Sequence, residues 1–246
     1  MKQILLITDG CSNMGVSPIL AAAYALEDGI SVNVVGVISY GTIGELGSLE
    51  ISEIAKAGGG ISRIVGTQKL AQTMQMMTRK TVAQSIQQAV NKELKHILGN
   101  SRIEDLPPHR RSQVVEVVDE LTETTPLQVA LLIDASASMK PKLNAVEEAI
   151  RDLMLSLQAR EGLSELAVFH YPGRNSEEDA IMNVDWTSDL GKLKSLFHRI
   201  QMKGATPTGP AIMKVIDFFR YGTLNKHQTW RGNSDEGEGI LGGNVV

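Results

Sequence analysis

Three short segments of this chain carry oxygen donors at spacings suited to one divalent cation. Asp134-Ala135-Ser136-Ala137-Ser138 sets a carboxylate and two hydroxyls on alternate residues. Gly204-Ala205-Thr206-Pro207-Thr208-Gly209 supplies the hydroxyl of Thr206, and Thr8-Asp9-Gly10 a second carboxylate, Asp9. Mg²⁺ takes oxygen ligands in near-octahedral geometry and gives up its waters reluctantly, so a protein site supplies few direct ligands. Hydroxyls are neutral, and a site built partly from them leaves the cation strongly positive. Local alternatives stand beside this reading. Ser136 and Ser138 could cap a helix starting near Lys140, and Asp9 and Asp134 could close Asx turns after strands. Thr208 reads as a cap for the helix that follows it.

Other chemistries find less support. No second Asp follows Asp134 at the spacing that gives a hydrolase its nucleophile and acid, and no G-x-x-x-x-G-K-[ST] loop is present. The runs Gly41-Thr42-Ile43-Gly44 and Gly58-Gly59-Gly60 are weak phosphate cradles. His96, His109, His170, His198 and His227 are scattered without ligand spacing and read as surface or packing residues. The chain therefore reads as a binding module and not an enzyme. A Mg²⁺-dependent phosphoryl-transfer hydrolase is the alternative, because strand-end aspartates around Mg²⁺ also describe such enzymes.

Composition narrows the partners. Net charge is −4 and the isoelectric point about 5.8, which argues against a nucleic-acid binder. The basic cluster His109-Arg110-Arg111 reads as a solvated helix face. No apolar run approaches the roughly 20 residues of a membrane span. A single cysteine, Cys11, cannot form an internal disulfide, so the expected setting is reducing and cytoplasmic. Cys11 is expected to be a small packing residue, with a reactive thiol as the other reading.

The elements that must position these donors follow from the apolar pattern. Residues 3–8 form a buried strand that delivers Thr8-Asp9-Gly10 at its end. A helix over Val16–Asp28, a strand over Ser31–Ile38, a helix near Leu49–Ala57 and a strand over Ile61–Val65 give the alternation of a parallel sheet. From Thr67 to Leu98, Leu70, Met74, Met77, Ile86, Val90 and Leu94 recur near helical period, and a further helix capped by Asp105 runs to Pro126. Strands then fall at Leu127–Ile133, Glu165–Tyr171 and Ala180–Trp186. The last two are joined by a short turn at Pro172-Gly173-Arg174-Asn175 and are therefore antiparallel. Helices are expected over Lys140–Ala159, Leu190–Ile200 and Gly209–Phe219.

Together the three donor segments resemble the metal-ion-dependent adhesion site (MIDAS) of von Willebrand factor A (vWA) domains. The usual order there is D-x-S-x-S, the threonine loop, then T-D-G. Here T-D-G comes first, so the chain resembles a circularly permuted vWA domain, and within that group the small YabS-like proteins of spore-forming bacilli, which share the inverted order. The resemblance implies an α/β fold: a doubly wound, mostly parallel six-stranded sheet with helices on both faces. Residues 1–77 would be the family's C-terminal half and 127–222 its N-terminal half, forming one domain. Residues 78–126 would be a helical insert and 223–246 a mobile tail. It also implies the spatial order 180–186, 165–171, 128–133, 3–8, 31–38, 61–65.

The implied metal ligands are Asp134, Ser136, Ser138, Thr206 and Asp9, with Asp9 acting through water. The cofactor would be Mg²⁺, with Mn²⁺ able to stand in. A protein partner would complete the octahedron with an Asp or Glu. Self-association through 78–126, whose apolar stripe carries Ile86, Val90 and Leu94, is a further expectation. So is service as an adaptor subunit for an AAA+ ATPase.

Overall fold

A computed structural model describes residues 1–38, 43–96, 106–173, 178–193 and 204–222 in full, and the backbone of 97–98 and 223–231. One six-stranded sheet forms within the chain. Its strands are β1 (Lys2–Thr8), β2 (Ile30–Ile38), β3 (Gly59–Gly66), β4 (Leu127–Asp134), β5 (Ser164–Tyr171) and β6 (Ile181–Thr187). Their spatial order is β3-β2-β1-β4-β5-β6, as expected. All neighbours are parallel except β5 and β6.

Strand alternation sends side chains to two helical layers. Leu5, Ile7, Val35, Val129, Leu131 and Val168 face a layer built from α3 (Leu70–Leu98) and α5 (Leu143–Gln158). Ile4, Leu6, Val34, Leu132 and Phe169 face α1 (Pro18–Glu27), α2 (Glu45–Ala57) and α6 (Thr208–Arg231). Both faces of β1 and β4 are fully covered, which explains their near-continuous apolar sequences. Each fully buried aliphatic side chain stabilises by about 1.5–3 kcal/mol, so the central strands form a rigid frame.

Helix boundaries differ from expectation in instructive ways. The turn after β4 is a 3-10 helix, Ala137–Lys142, and α5 starts only at Leu143. Pro141 lies inside that turn, and its missing N–H suits a short 3-10 segment. The last helix, α6, continues through Arg231, past the expected end at Phe219 and into the stretch read as tail. Of the helix expected over Leu190–Ile200, Leu190–Leu193 form a 3-10 turn. The remainder, the Asp105 cap, turn residues Arg174 and Asn175, and residues 232–246 lie outside the described residues.

The segment expected as an insert begins inside α3, which runs without a break across residue 78. Thr78, Thr81, Val82 and Ile86 are buried there. Ile86 therefore belongs to the core, and the expected stripe keeps only Val90 and Leu94 half-covered. Those two line a groove of about 330 Å³ against Arg110, Val114 and Val117 of α4 (Pro108–Thr124).

A polar network holds α3 to the sheet. Asn33 Nδ2 donates to Gln3 Oε1 at 3.2 Å, while Asn33 Oδ1 accepts from Thr81 Oγ1 at 2.8 Å and Ile61 N at 2.9 Å. Gln3 Nε2 donates to the Thr78 carbonyl at 3.3 Å. At the far end of α4, the buried Arg160 guanidinium donates to the carbonyls of Thr122 and Thr125 at 2.7 and 2.9 Å. These are orphan carbonyls at a helix end, where a cation is also favoured by the helix dipole.

Candidate metal centre

The two strand-end aspartates meet because β1 and β4 are parallel neighbours. Ile7 pairs with Ile133, so both chains leave the sheet at the same edge, one carrying Thr8-Asp9 and the other Asp134. Open α/β sheets place ligands at this carboxyl edge. Asp134 has no exposed surface. Its Oδ2 accepts from Thr8 Oγ1 at 2.8 Å and its Oδ1 from Ser136 N at 2.8 Å. The second contact is the Asx turn weighed for Asp134.

The cap weighed as the alternative for Ser136 does not form. Ser136 stands at the N-cap position of the 3-10 turn, yet its side chain makes no capping bond. Its Oγ lies 3.1 Å from Ser138 Oγ, and Ser138 Oγ donates to Asp9 Oδ1 at 2.8 Å. Asp134, Ser136, Ser138 and Asp9 thus form one chain of contacts across two segments. Lys142 closes it: its ammonium pairs with Asp9 Oδ2 and donates to the Ser138 carbonyl at 3.2 Å.

Thr206 joins from the third segment through its backbone. Thr206 N donates to Asn13 Oδ1 at 2.8 Å, and its carbonyl accepts from Asn13 N and Ser12 Oγ, each at 3.2 Å. These bonds fasten the threonine loop to the turn that follows Asp9-Gly10. Close packing maintains the junction, since a Cβ at Gly209 would sit 1.9 Å from the Val16 carbonyl oxygen. Thr208 is the first residue of α6, and its Oγ1 donates to the buried Tyr171 hydroxyl at 3.4 Å.

Burial decides the electrostatics. Desolvation raises the Asp134 carboxyl above the ordinary range, opposed by the hydrogen bonds from Ser136 and Thr8 and reinforced by the Asp9 charge. Tyr171 is pushed well above its usual value by burial first, then by the Asp134 charge. An edge that disfavours bare negative charge is one where an added cation is stabilised. The donors are two carboxylates and several hydroxyls, a hard oxygen set suited to Mg²⁺ or Mn²⁺ and not to thiophilic metals. Among the described residues no three His, Cys, Asp or Glu side chains gather as a metal site, at this edge or elsewhere; here two carboxylates stand with hydroxyls.

Several participants were not singled out from sequence. Thr8 is the T of T-D-G and could have been suspected. Lys142 could not, because its reach to Asp9 depends on a 3-10 turn where an α-helix is the default reading. Tyr171, Ser12 and Asn13 carry no motif. His170 is a packing residue as read, with Nδ1 2.7 Å from Asn183 Oδ1. Cys11 is exposed, not packed, and partial burial followed by the Glu50 charge raises its thiol, which disfavours the nucleophilic thiolate. Beside the threonine loop a cavity of about 410 Å³ opens, lined by Met14, Pro172, Pro207 and Pro210 with Glu178 and Asp179. Among the described residues no helix is long and apolar enough to cross a membrane.

No protein-family model matches the sequence. The uncharacterized protein YabS of Bacillus subtilis (strain 168) is 49% identical over 216 residues, covering 87% of this chain and 87% of that protein. The crystal structure of an uncharacterized protein from Alicyclobacillus acidocaldarius subsp. acidocaldarius DSM 446 matches with a TM-score of 0.84 at 41% identity, over 92% of this chain and 96% of that one. Proximal thread matrix protein 1 from the mussel byssus, in a form with a zinc-occupied MIDAS motif, matches with a TM-score of 0.27 at 15% identity, over 83% of this chain and 43% of that one. That last likeness is too slight to bear on the site.

Proposed function

The chain belongs to the family of Bacillus subtilis YabS, and from that premise we propose that it is a metal-dependent protein-interaction module on a circularly permuted vWA fold. Residues 1–77 and 127–222 are the two halves of that fold, and 78–126 join them. Asp134, Ser136, Ser138, Thr206 and Asp9 form the MIDAS and hold Mg²⁺, for which Mn²⁺ can stand in. The observation that carries this reading is the contact chain Asp134–Ser136–Ser138–Asp9, in which Ser138 and Asp9 meet from 129 residues apart in the sequence.

A bound divalent cation supplies a concentrated positive charge that accepts a carboxylate from outside. The protein's own residues do the rest. Thr8 and the Ser136 amide fix the Asp134 carboxylate in place. Hydroxyls contribute oxygen without charge, so the cation keeps its appetite for an acidic partner. The partner is a protein presenting Asp or Glu, and the cytoplasm suits a chain whose single cysteine has no disulfide partner. Binding is favoured over hydrolysis because Ser136 stands where a second carboxylate would be needed for acid–base work.

Titration calorimetry of the chelator-treated protein with Mg²⁺ tests the reading. Saturable binding at one site is expected, lost in Asp134→Ala, with capture of an acidic partner from native extract abolished by EDTA. Equal Mg²⁺ heats from the wild type and Asp134→Ala would sink the proposal.

A further inference from the structure

Lys142 is the unexpected member of this edge. Its side chain is 10% exposed and that of its partner Asp9 5% exposed, so the pair is enclosed. The ammonium touches Asp9, which arrives from β1, and the Ser138 carbonyl, which belongs to the 3-10 turn. One lysine nitrogen thus bridges the same two segments that the cation of the preceding section would bridge. Lysine ammonium is a compact point charge on a flexible four-carbon stem, able to swing away without moving the backbone.

Resting on the metal reading above, we propose that Lys142 is a tethered competitor for the cation site: its ammonium neutralises Asp9 when no metal is held, and metal loading displaces it. Two consequences follow from charge alone. An ammonium beside Asp9 opposes the approach of a doubly charged ion, so the site binds Mg²⁺ less tightly than its oxygen donors alone would. Removing one partner of an enclosed ion pair leaves the other charge uncompensated, so the metal-free protein needs Lys142 for stability. The lysine holds the empty edge together and sets a threshold concentration for loading.

Calorimetry and thermal unfolding of wild type, Lys142→Met and Lys142→Gln test this. Both variants are expected to bind Mg²⁺ at least tenfold more tightly than wild type. In EDTA they should melt several degrees lower, and saturating Mg²⁺ should raise their melting temperature more than that of wild type. A second measurement needs no substitution: acetylation of Lys142 by an amine-reactive ester, read by peptide mass spectrometry. Labelling should rise several-fold when wild type is saturated with Mg²⁺. Unchanged Mg²⁺ affinity in both variants, or labelling that does not rise, overturns the competitor role while leaving the metal reading intact. Absence of Mg²⁺ binding in wild type and variants alike overturns the metal reading and this inference together.

Discussion

A carboxylate as enclosed as that of Asp134 destabilises the fold whenever it is charged with no cation facing it. Its folded pKa is raised, chiefly by desolvation. The folded state therefore holds the proton more tightly than the unfolded chain. The resulting stability is fully present below the ordinary carboxylate pKa and is lost as pH rises through the raised folded value. Asp134→Asn, neutral at every pH, should raise the melting temperature in EDTA at pH 7. That gain should shrink as pH falls toward the acid range, while Mg²⁺ binding is lost. Scanning fluorimetry across pH checks this, and a gain independent of pH would contradict it. The residues that meet at this edge, Asp134, Ser136, Ser138 and Asp9, were legible in the sequence because D-x-S-x-S and T-D-G are short and local. What surrounds them was not. Lys142 and Tyr171 reach the site through a turn type and a strand register, and neither leaves a mark on residue spacing.

Asn33 shows what an element-scale contact carries. Its side chain lies within β2 yet serves β1 through Gln3, β3 through the Ile61 amide and α3 through Thr81. Nothing in the apolar run around it announces this, since a polar residue there reads as noise in a buried strand. Asn33→Leu keeps the size and leaves Thr81 Oγ1, Ile61 N and the Gln3 amide without their partner. An unsatisfied buried polar group costs about 1–3 kcal/mol, so the loss should reach at least about 2 kcal/mol in urea unfolding. A loss under about 0.5 kcal/mol would mean that the network can be replaced by packing or water. Strand positions were legible from apolar runs and flanking glycines. Helix limits were less so: the start of α5 moved to Leu143 because Pro141 favours a tighter turn, and the reach of α6 exceeds its apolar periodicity.

At the scale of the whole molecule, the sheet is one body made from two stretches of chain. β1 and β4 pair over six registered positions, and α3 packs against both β2 and α5. An engineered protease site between Leu98 and Leu106 should thus yield two fragments that stay together on gel filtration and melt in one transition. Fragments that separate would show that the covalent connection, and not the shared core, holds the halves. Strand order at this scale came from resemblance to a known fold. Apolar pattern alone says that strands exist and are buried; it does not say which strand lies beside which.

The central pairing also bears on how the molecule is made. A ribosome delivers β1, β2 and β3 first, and in the finished sheet the free edge of β1 belongs to β4. The stretch from Thr8 to Leu127 must emerge before that partner exists, a wait on the order of ten seconds at about 5–20 residues per second. Through that interval β1 can pair with β2 on one side, but its β4-facing edge over Ile4–Ile7 stays unpaired and apolar, a feature prone to wrong pairing. Neither half carries both aspartates. The Asp9–Asp134 cluster therefore cannot form until β4 has emerged to pair with β1, so nothing that needs both carboxylates can recognise this edge earlier in synthesis.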